Sequence, residues 1–342
     1  TSATIKGGTL SGTIAGDDIN YASPVASFST KDVGTAKEVQ LSSLTLTGSD
    51  AGNYLYTGSA KSTADITVRP SSTWSGKAGN NNWSDPLNWD ALPDGSNVLA
   101  VTIGAGTGSV AFDLAGVSLQ TLDSAQTLSI NGGSLAVSAA LTTSGYSQSS
   151  GVVNGAGSFT SSGNFNQSGG SINMGSIAIT QNTGAMTIAN LKAATVNLTG
   201  GSIGETAAGG IETAKLVTQS NGGTVLNGTS NKIAEWTATN SGSGRIELLN
   251  TGLIKITANN SGGDLKVESF GGLVTVGKTI SSGAMTFIAN SPLTIGPEGL
   301  SAGGNIVLTA TNLTSAGDIV LNGPVETTVG SVAIKAASNL AQ

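Results

Sequence analysis

The sequence predicts an all-β protein, a small β-sandwich-like module followed by a right-handed parallel β-helix (β-solenoid). Three observations carry that reading. A Gly-rich corner followed by a short apolar alternation returns at Arg245-Ile-Glu-Leu-Leu, Asp264-Leu-Lys-Val-Glu, Ala284-Met-Thr-Phe-Ile and Asn305-Ile-Val-Leu-Thr, with steps of 19, 20 and 21 residues. An offset series, Ile254-Lys-Ile-Thr, Leu273-Val-Thr-Val and Leu293-Thr-Ile, keeps the same beat with steps of 19 and 20. Two short strands per twenty-residue period, joined by Gly, Asn and Ser, describe one rung of a solenoid. The third observation is composition. Fifty glycines with only 10% charged residues suit a chain that turns corners constantly, and 38% hydrophobic residues held in ordered alternations separate it from a disordered chain.

The first element, residues 1–70, carries eleven charged residues and short β segments separated by turns. Lys31-Asp-Val-Gly-Thr-Ala-Lys, Asp50-Ala-Gly-Asn-Tyr and Ala64-Asp-Ile-Thr-Val-Arg-Pro follow one another in that order. This stretch resembles the YDG and MBG type repeat modules of bacterial surface proteins. The resemblance implies a haemagglutinin-like exoprotein of the kind secreted by a two-partner system, and it brings neither a ligand nor catalytic residues. On its own, the module reads as a spacer bead.

The second element, residues 71–104, holds Trp74, Trp83 and Trp89, three of the four tryptophans of the chain. Its W…NW…NW…P pattern is similar to the junctions that open the β-helical passengers of autotransporter and haemagglutinin-like adhesins. The first coil of a solenoid exposes an apolar end, and Trp covers such an end with a large ring and a single N–H to satisfy. The competing reading is a sugar platform built from Trp74, Trp83, Trp89, Tyr146 and Trp236.

The third element, residues 105–342, is the β-helix. From Ser124 to Gly204 it contains no carboxylate and one cation, Lys192. The stretches around Gln148, Asn166 and Gln181 are suited to ladders of Ser, Thr, Asn and Gln stacked from rung to rung. Pro292, Pro297 and Pro324 mark wider corners. In the apolar series Ile246, Leu265 and Phe287 are expected to point inward and stack. At ~4.8 Å per rung, roughly twelve rungs would make a rod on the order of 55 Å long.

Most chemistry drops out by residue class. With no His and no Cys there is no imidazole base, thiolate nucleophile, disulfide or His-bearing metal site. Carboxylates alone remain. Glu247 and Glu268 lie 21 residues apart and are expected to share a face, without a partner that would manage a proton. Asp17 with Asp18, and Asp85, Asp90 and Asp94, are oxygen-rich turns without the spacing of a calcium loop, so no metal or cofactor is expected. Gly132-Gly133, Gly169-Gly170 and Gly303-Gly304 lack the lysine of a phosphate loop and read as corners.

The net charge of −6 argues against nucleic acid as a partner. No run approaches the ~20 apolar residues of a membrane span. Thr1 in place of Met, without a signal peptide, points to an internal piece of a longer chain, whose export signals would lie elsewhere. The expectation is therefore a non-enzymatic segment of a secreted or surface-bound bacterial adhesin, which would pass an outer-membrane secretion pore. Its partner would be a polysaccharide or a host or bacterial cell surface, and a carbohydrate-binding module is the alternative.

Overall fold

The computed structural model describes residues 2–58, 60–106, 108–312, 319–337 and 340–341. Among these the fold is all β, interrupted only by two single 3₁₀ turns, Ala51–Asn53 and Pro86–Asn88. The chain divides into two compact units, Thr1–Pro70 with Gly95–Leu99, and Ser71–Asp94 with Ala100–Gln342.

The first unit contains an antiparallel sheet of four strands in chain order, β1 (Ser2–Ala3), β2 (Asn20–Phe28), β3 (Gly34–Thr47) and β4 (Lys61–Ile66). The small module expected ahead of the solenoid is thus a single antiparallel sheet among the described residues. The physical reason is a shortage of apolar positions. Only Ala26 and Val39 of these strands are buried, while Val25 stays exposed, and a second layer needs a second apolar face to cover.

The second unit is the solenoid, with about ten turns in place of the roughly twelve expected. Every pairing between successive turns is parallel. The steps lengthen near the C-terminal end, where Leu293 pairs Ile319 and Leu300 pairs Val325, so fewer turns use up the same chain. Ten rungs at ~4.8 Å give an axial length on the order of 48 Å.

The twenty-residue beat of the sequence is the register of this stack. Ile246 pairs Leu265, Leu265 pairs Met285 and Met285 pairs Ile306, and all four are buried. The offset series forms its own column, Ile254 on Leu273 on Leu293. Phe287 is buried as expected but stacks between Val267 and Leu308, two residues along from the column of Leu265.

A second correction concerns strand count: each later turn carries three strands, not two. Leu265–Ser269 and Leu273–Thr275 are followed by Thr279–Ser281, and Met285–Ala289 and Leu293–Ile295 by Leu300–Ala302. In Thr279–Ser281 the two inward side chains are Thr and Ser, so its alternation barely shows as hydrophobicity, whereas Leu300–Ala302 turns Leu300 and Ala302 inward.

Corners bring backbone polar groups toward the interior, and buried amides satisfy them. Asn240 donates from Nδ2 to Asn260 Oδ1 at 2.8 Å and to the carbonyls of Gly242, Ser243 and Gly244 in its own corner. Gln167 donates to Gln148 Oε1 at 3.1 Å one turn below, and Gln148 takes the hydroxyl of Tyr146 at the same distance. The expected amide ladders are thus interior ones, since all four amides are fully buried. Each bond contributes ~0.5–1.5 kcal/mol net, yet an orphaned buried partner costs ~1–3 kcal/mol, so the ladder defines the register more than it adds to stability. Tight corners also demand glycine. Gly133 has φ +68°, and a Cβ there would collide with the carbonyl oxygen of Leu114 on the turn below.

One corner is held by a carboxyl group. Glu205 Oε2 accepts from the backbone N–H of Gly228 at 2.7 Å and from Asn231 Nδ2 at 2.8 Å. Burial pushes this carboxyl above the ordinary glutamate range, against the opposing pull of those two bonds. A raised folded pKa gives stability that is complete below the unfolded value, about 4.3, and is lost as pH rises through the folded value. The melting temperature of the wild type, relative to that of Glu205→Gln, is therefore expected to rise as pH falls from 7 toward 4.5. Paired thermal melts across that range check it, and parallel curves would remove Glu205 from the corner's energetics.

Candidate functional site

The tryptophan segment covers the first turn of the solenoid. Its backbone pairs with that turn in parallel: Trp83 N–H donates to the Ala111 carbonyl at 2.9 Å, and Ala111 N–H donates to Asn81 at 2.8 Å. Ser84 adds its N–H and its hydroxyl to the carboxylate of Asp113 at 2.8 and 2.6 Å, and Trp74 N–H reaches the Thr102 carbonyl at 2.9 Å. The open strand edge and the apolar end of the coil are closed together.

The rings complete this cover. Trp83 is 0% exposed and sits 4.7 Å from Trp89 and 5.4 Å, edge-on, from Phe112 of the first turns. Its indole N–H donates to the Pro93 carbonyl at 2.8 Å, and that of Trp89 donates to the Trp83 carbonyl at 2.7 Å. Asp85 opens the 3₁₀ turn Pro86–Asn88 by accepting from Leu87 N–H, with proline at the first position. The buried Asn88 then ties Ala78, Asn80 and Asn82 into one loop.

These positions correct the sugar-platform expectation. Trp83, Trp89, Tyr146 and Trp236 are all buried, and Trp74 is half-buried with its ring edge-on to Trp89 at 5.0 Å. Tyr146 stacks on Phe165 at 5.3 Å, and burial alone raises its phenol well above the ordinary tyrosine range. Trp236 donates its indole N–H to Thr218 Oγ1 at 3.0 Å. A sugar needs an open ring face, and these four have none.

In the first unit the three sequence motifs meet through long-range hydrogen bonds. Asp65 of the closing Ala64-Asp-Ile strand accepts from the N–H of Ala36, at φ +50°, in the Lys31–Lys37 turn, and Lys37 Nζ closes that turn on Thr30 Oγ1 at 2.6 Å. In the Asp50–Tyr54 stretch, Asp50 Oδ2 accepts from Asp18 N–H at 2.8 Å and Tyr54 donates its hydroxyl to Asp17 at 2.6 Å. Asp18 in turn accepts from the N–H and hydroxyl of Ser49, which hold its carboxyl below the ordinary aspartate range. Gly48, at φ +111°, leaves room for the Asp18 carbonyl, which a Cβ would strike. The motif residues are those that fasten the turns.

Residues 1–64 match the YDG domain. No curated protein and no solved structure matches the chain. In the YDG domain the acidic pair Asp17 and Asp18 is engaged in closing turns, and in the cap Asp85 and Asp90 are engaged likewise. No group of three potential ligands suited to a metal is present among the described residues. Glu247 and Glu268 do lie on one outward face, offset by two residues: Glu268 pairs across from Leu249, and Lys266 stands between the two acids, 3.4 Å from Glu247 and 3.7 Å from Glu268.

One outward feature escaped the sequence reading. Lys192, Glu212 and Lys232 recur at twenty-residue spacing, as do Lys215, Glu235 and Lys255. The register places Glu212 on Lys232, Lys215 on Glu235 and Glu235 on Lys255. Lys192 bonds Glu212 at 3.1 Å and Lys215 reaches Glu235 at 3.7 Å, all well exposed. Beside the first column runs an open groove of about 540 Å³ with Ala194, Ala214, Ala234 and Leu253 in its lining. The repeat was legible in the sequence, but only once the turn length was fixed at twenty over residues 190–255.

The cap geometry generates one prediction. Trp83→Ala is expected to destabilise the protein by ~3–5 kcal/mol, as a large-to-small core change. Denaturant unfolding measures it. An unchanged midpoint would mean that the ring does not close the coil.

Proposed function

We propose that this chain is part of the shaft of a secreted bacterial surface protein, a non-enzymatic adhesin segment that holds a binding region away from the cell. The observation that carries this reading is the capped stack of parallel rungs carried in the same chain as a YDG domain. Such a stack has nearest-neighbour stability and a fixed rise per turn, the properties a spacer requires. The reading extends to export by a two-partner system. A chain without cysteine passes an outer-membrane pore unfolded, and turns that form one after another on the far side help to draw out the rest. In this role the polysaccharide or the host or bacterial cell surface is met by a region that the shaft presents, and no reaction is assigned to the chain.

Two measurements on the producing bacterium and on the purified chain test the reading together. Antibody against the YDG domain is expected to stain intact, unpermeabilised cells, and the purified chain is expected to leave a glycan array blank. Staining that requires permeabilised cells would overturn the surface location. Retention of a defined polysaccharide by the chain alone would favour a carbohydrate-binding module over a shaft.

A further inference from the structure

We propose that Asn227-Gly228 is a self-modifying site, at which the carboxyl group of Glu205 drives the conversion of Asn227 to aspartate and isoaspartate. This goes beyond the shaft reading and holds for any role of the chain.

The reaction starts at the peptide nitrogen that follows an asparagine. Once that nitrogen loses its proton it attacks the side-chain carbonyl carbon and closes a ring, and glycine, having no Cβ, hinders the approach least. The chain has five Asn-Gly pairs, beginning at Asn131, Asn154, Asn221, Asn227 and Asn322. At two of them the nitrogen is locked into the stack, since Gly155 N–H donates to the Asn173 carbonyl at 3.0 Å and Gly222 N–H to the Gly201 carbonyl at 2.6 Å. A carbonyl holds such a proton without taking it. Among the described residues, Gly228 is the one glycine of the five whose N–H donates to a carboxyl group, Glu205 Oε2 at 2.7 Å.

The rest of the corner fits a base at this place. Glu205 Oε1 is buried and has no hydrogen-bond partner among the described residues, so the anion is stabilised on one oxygen only and accepts a proton more readily than an exposed carboxylate. Asn227 itself is exposed, just past the strand Thr224–Leu226, and among the described residues nothing hydrogen-bonds to its side chain. Its neighbour Asn231 is the opposite case. That side chain is fully buried, accepts from Ile211 N–H, and donates to Glu205 and to the carbonyls of Leu226 and Gly228.

In the first step Glu205 takes the Gly228 proton as the bond from that nitrogen to Asn227 Cγ forms. The Cγ–Nδ2 bond then breaks, and Glu205 returns the proton to the departing nitrogen, which leaves as ammonia. The product is a succinimide ring, and Glu205 ends as it began. Water opens the ring at one carbonyl to give aspartate or at the other to give isoaspartate, and the exposure of Asn227 lets water in and ammonia out. Either product puts a new carboxylate next to the glycine that holds Glu205, and isoaspartate also lengthens the main chain by one methylene directly after Leu226, which pairs with Leu248 of the next turn.

Peptide mass spectrometry on the folded whole chain, kept for weeks in warm neutral buffer made with water enriched in heavy oxygen, tests the proposal. The heavy oxygen marks carboxyl groups formed during the incubation and separates them from those formed during digestion. Asn227 is expected to be converted ahead of Asn131, Asn154, Asn221 and Asn322, a ranking within the wild type that needs no variant. In Glu205→Gln, shown to be folded by its circular dichroism melt, conversion of Asn227 is expected to slow by about tenfold or more, the loss of a general base, while the other four sites keep their rates. If that variant does not fold, Glu205→Asp, which draws the carboxylate back by one methylene, replaces it with the same expectation. An unmodified Asn227, another Asn-Gly pair that leads, or a folded variant in which Asn227 reacts as fast as in the wild type would each overturn the proposal.

Discussion

Register between successive turns is the constraint on which the rest of this molecule depends. A parallel stack leaves no freedom to slide by one residue, because the side-chain period of two would turn every Ile, Leu and Phe of the core outward. The apolar columns alone do not define which turn length is correct. Buried amides do, because Asn240 must meet Asn260, and Gln167 must meet Gln148, while both also satisfy corner carbonyls. A slip would orphan several buried polar groups at once, at a cost larger than the bonds themselves contribute.

The same constraint explains where the aromatic residues lie. A stack has two ends, and at the first turn the exposed edge offers both unpaired backbone groups and an apolar floor. Trp83 answers both with one residue, its backbone N–H on Ala111 and its ring on Phe112. Inside the coil, Tyr146, Phe159 and Phe165 fill a wide section with rings 5.0 to 6.3 Å apart, and Trp236 does so higher up. With most rings spent on packing, the outer surface is left largely to small polar side chains and a few ordered charges, with Phe270, Leu253 and Val329 among the apolar side chains that stay exposed.

What the sequence made legible follows the strength of the local signal. The columns through Leu265 and Leu273 were readable because Ile, Leu and Val recur at fixed spacing, and the YDG domain was readable because Asp50, Tyr54 and Asp65 sit in motifs whose role is to fasten turns. The third strand Thr279–Ser281 was not, since it buries one Thr and one Ser, residues that look like a corner when their burial is unknown. The tryptophans illustrate a different limit. Spacing places Trp83 and Trp89 together, but whether their rings face solvent or the coil depends on Ala111 and Phe112, more than twenty residues away. The charge columns failed for the same reason, because Lys192 and Glu212 become neighbours only after a full turn.

Stretching single molecules of the chain from both ends tests most directly whether the shaft is a stack held by its nearest neighbours. Unfolding is expected as a series of events that each release one turn or a small multiple of it, about 66–72 Å of contour per twenty residues. A single event that releases the whole solenoid at once would contradict the account, since it would mean that stability is shared across the coil and not built turn upon turn.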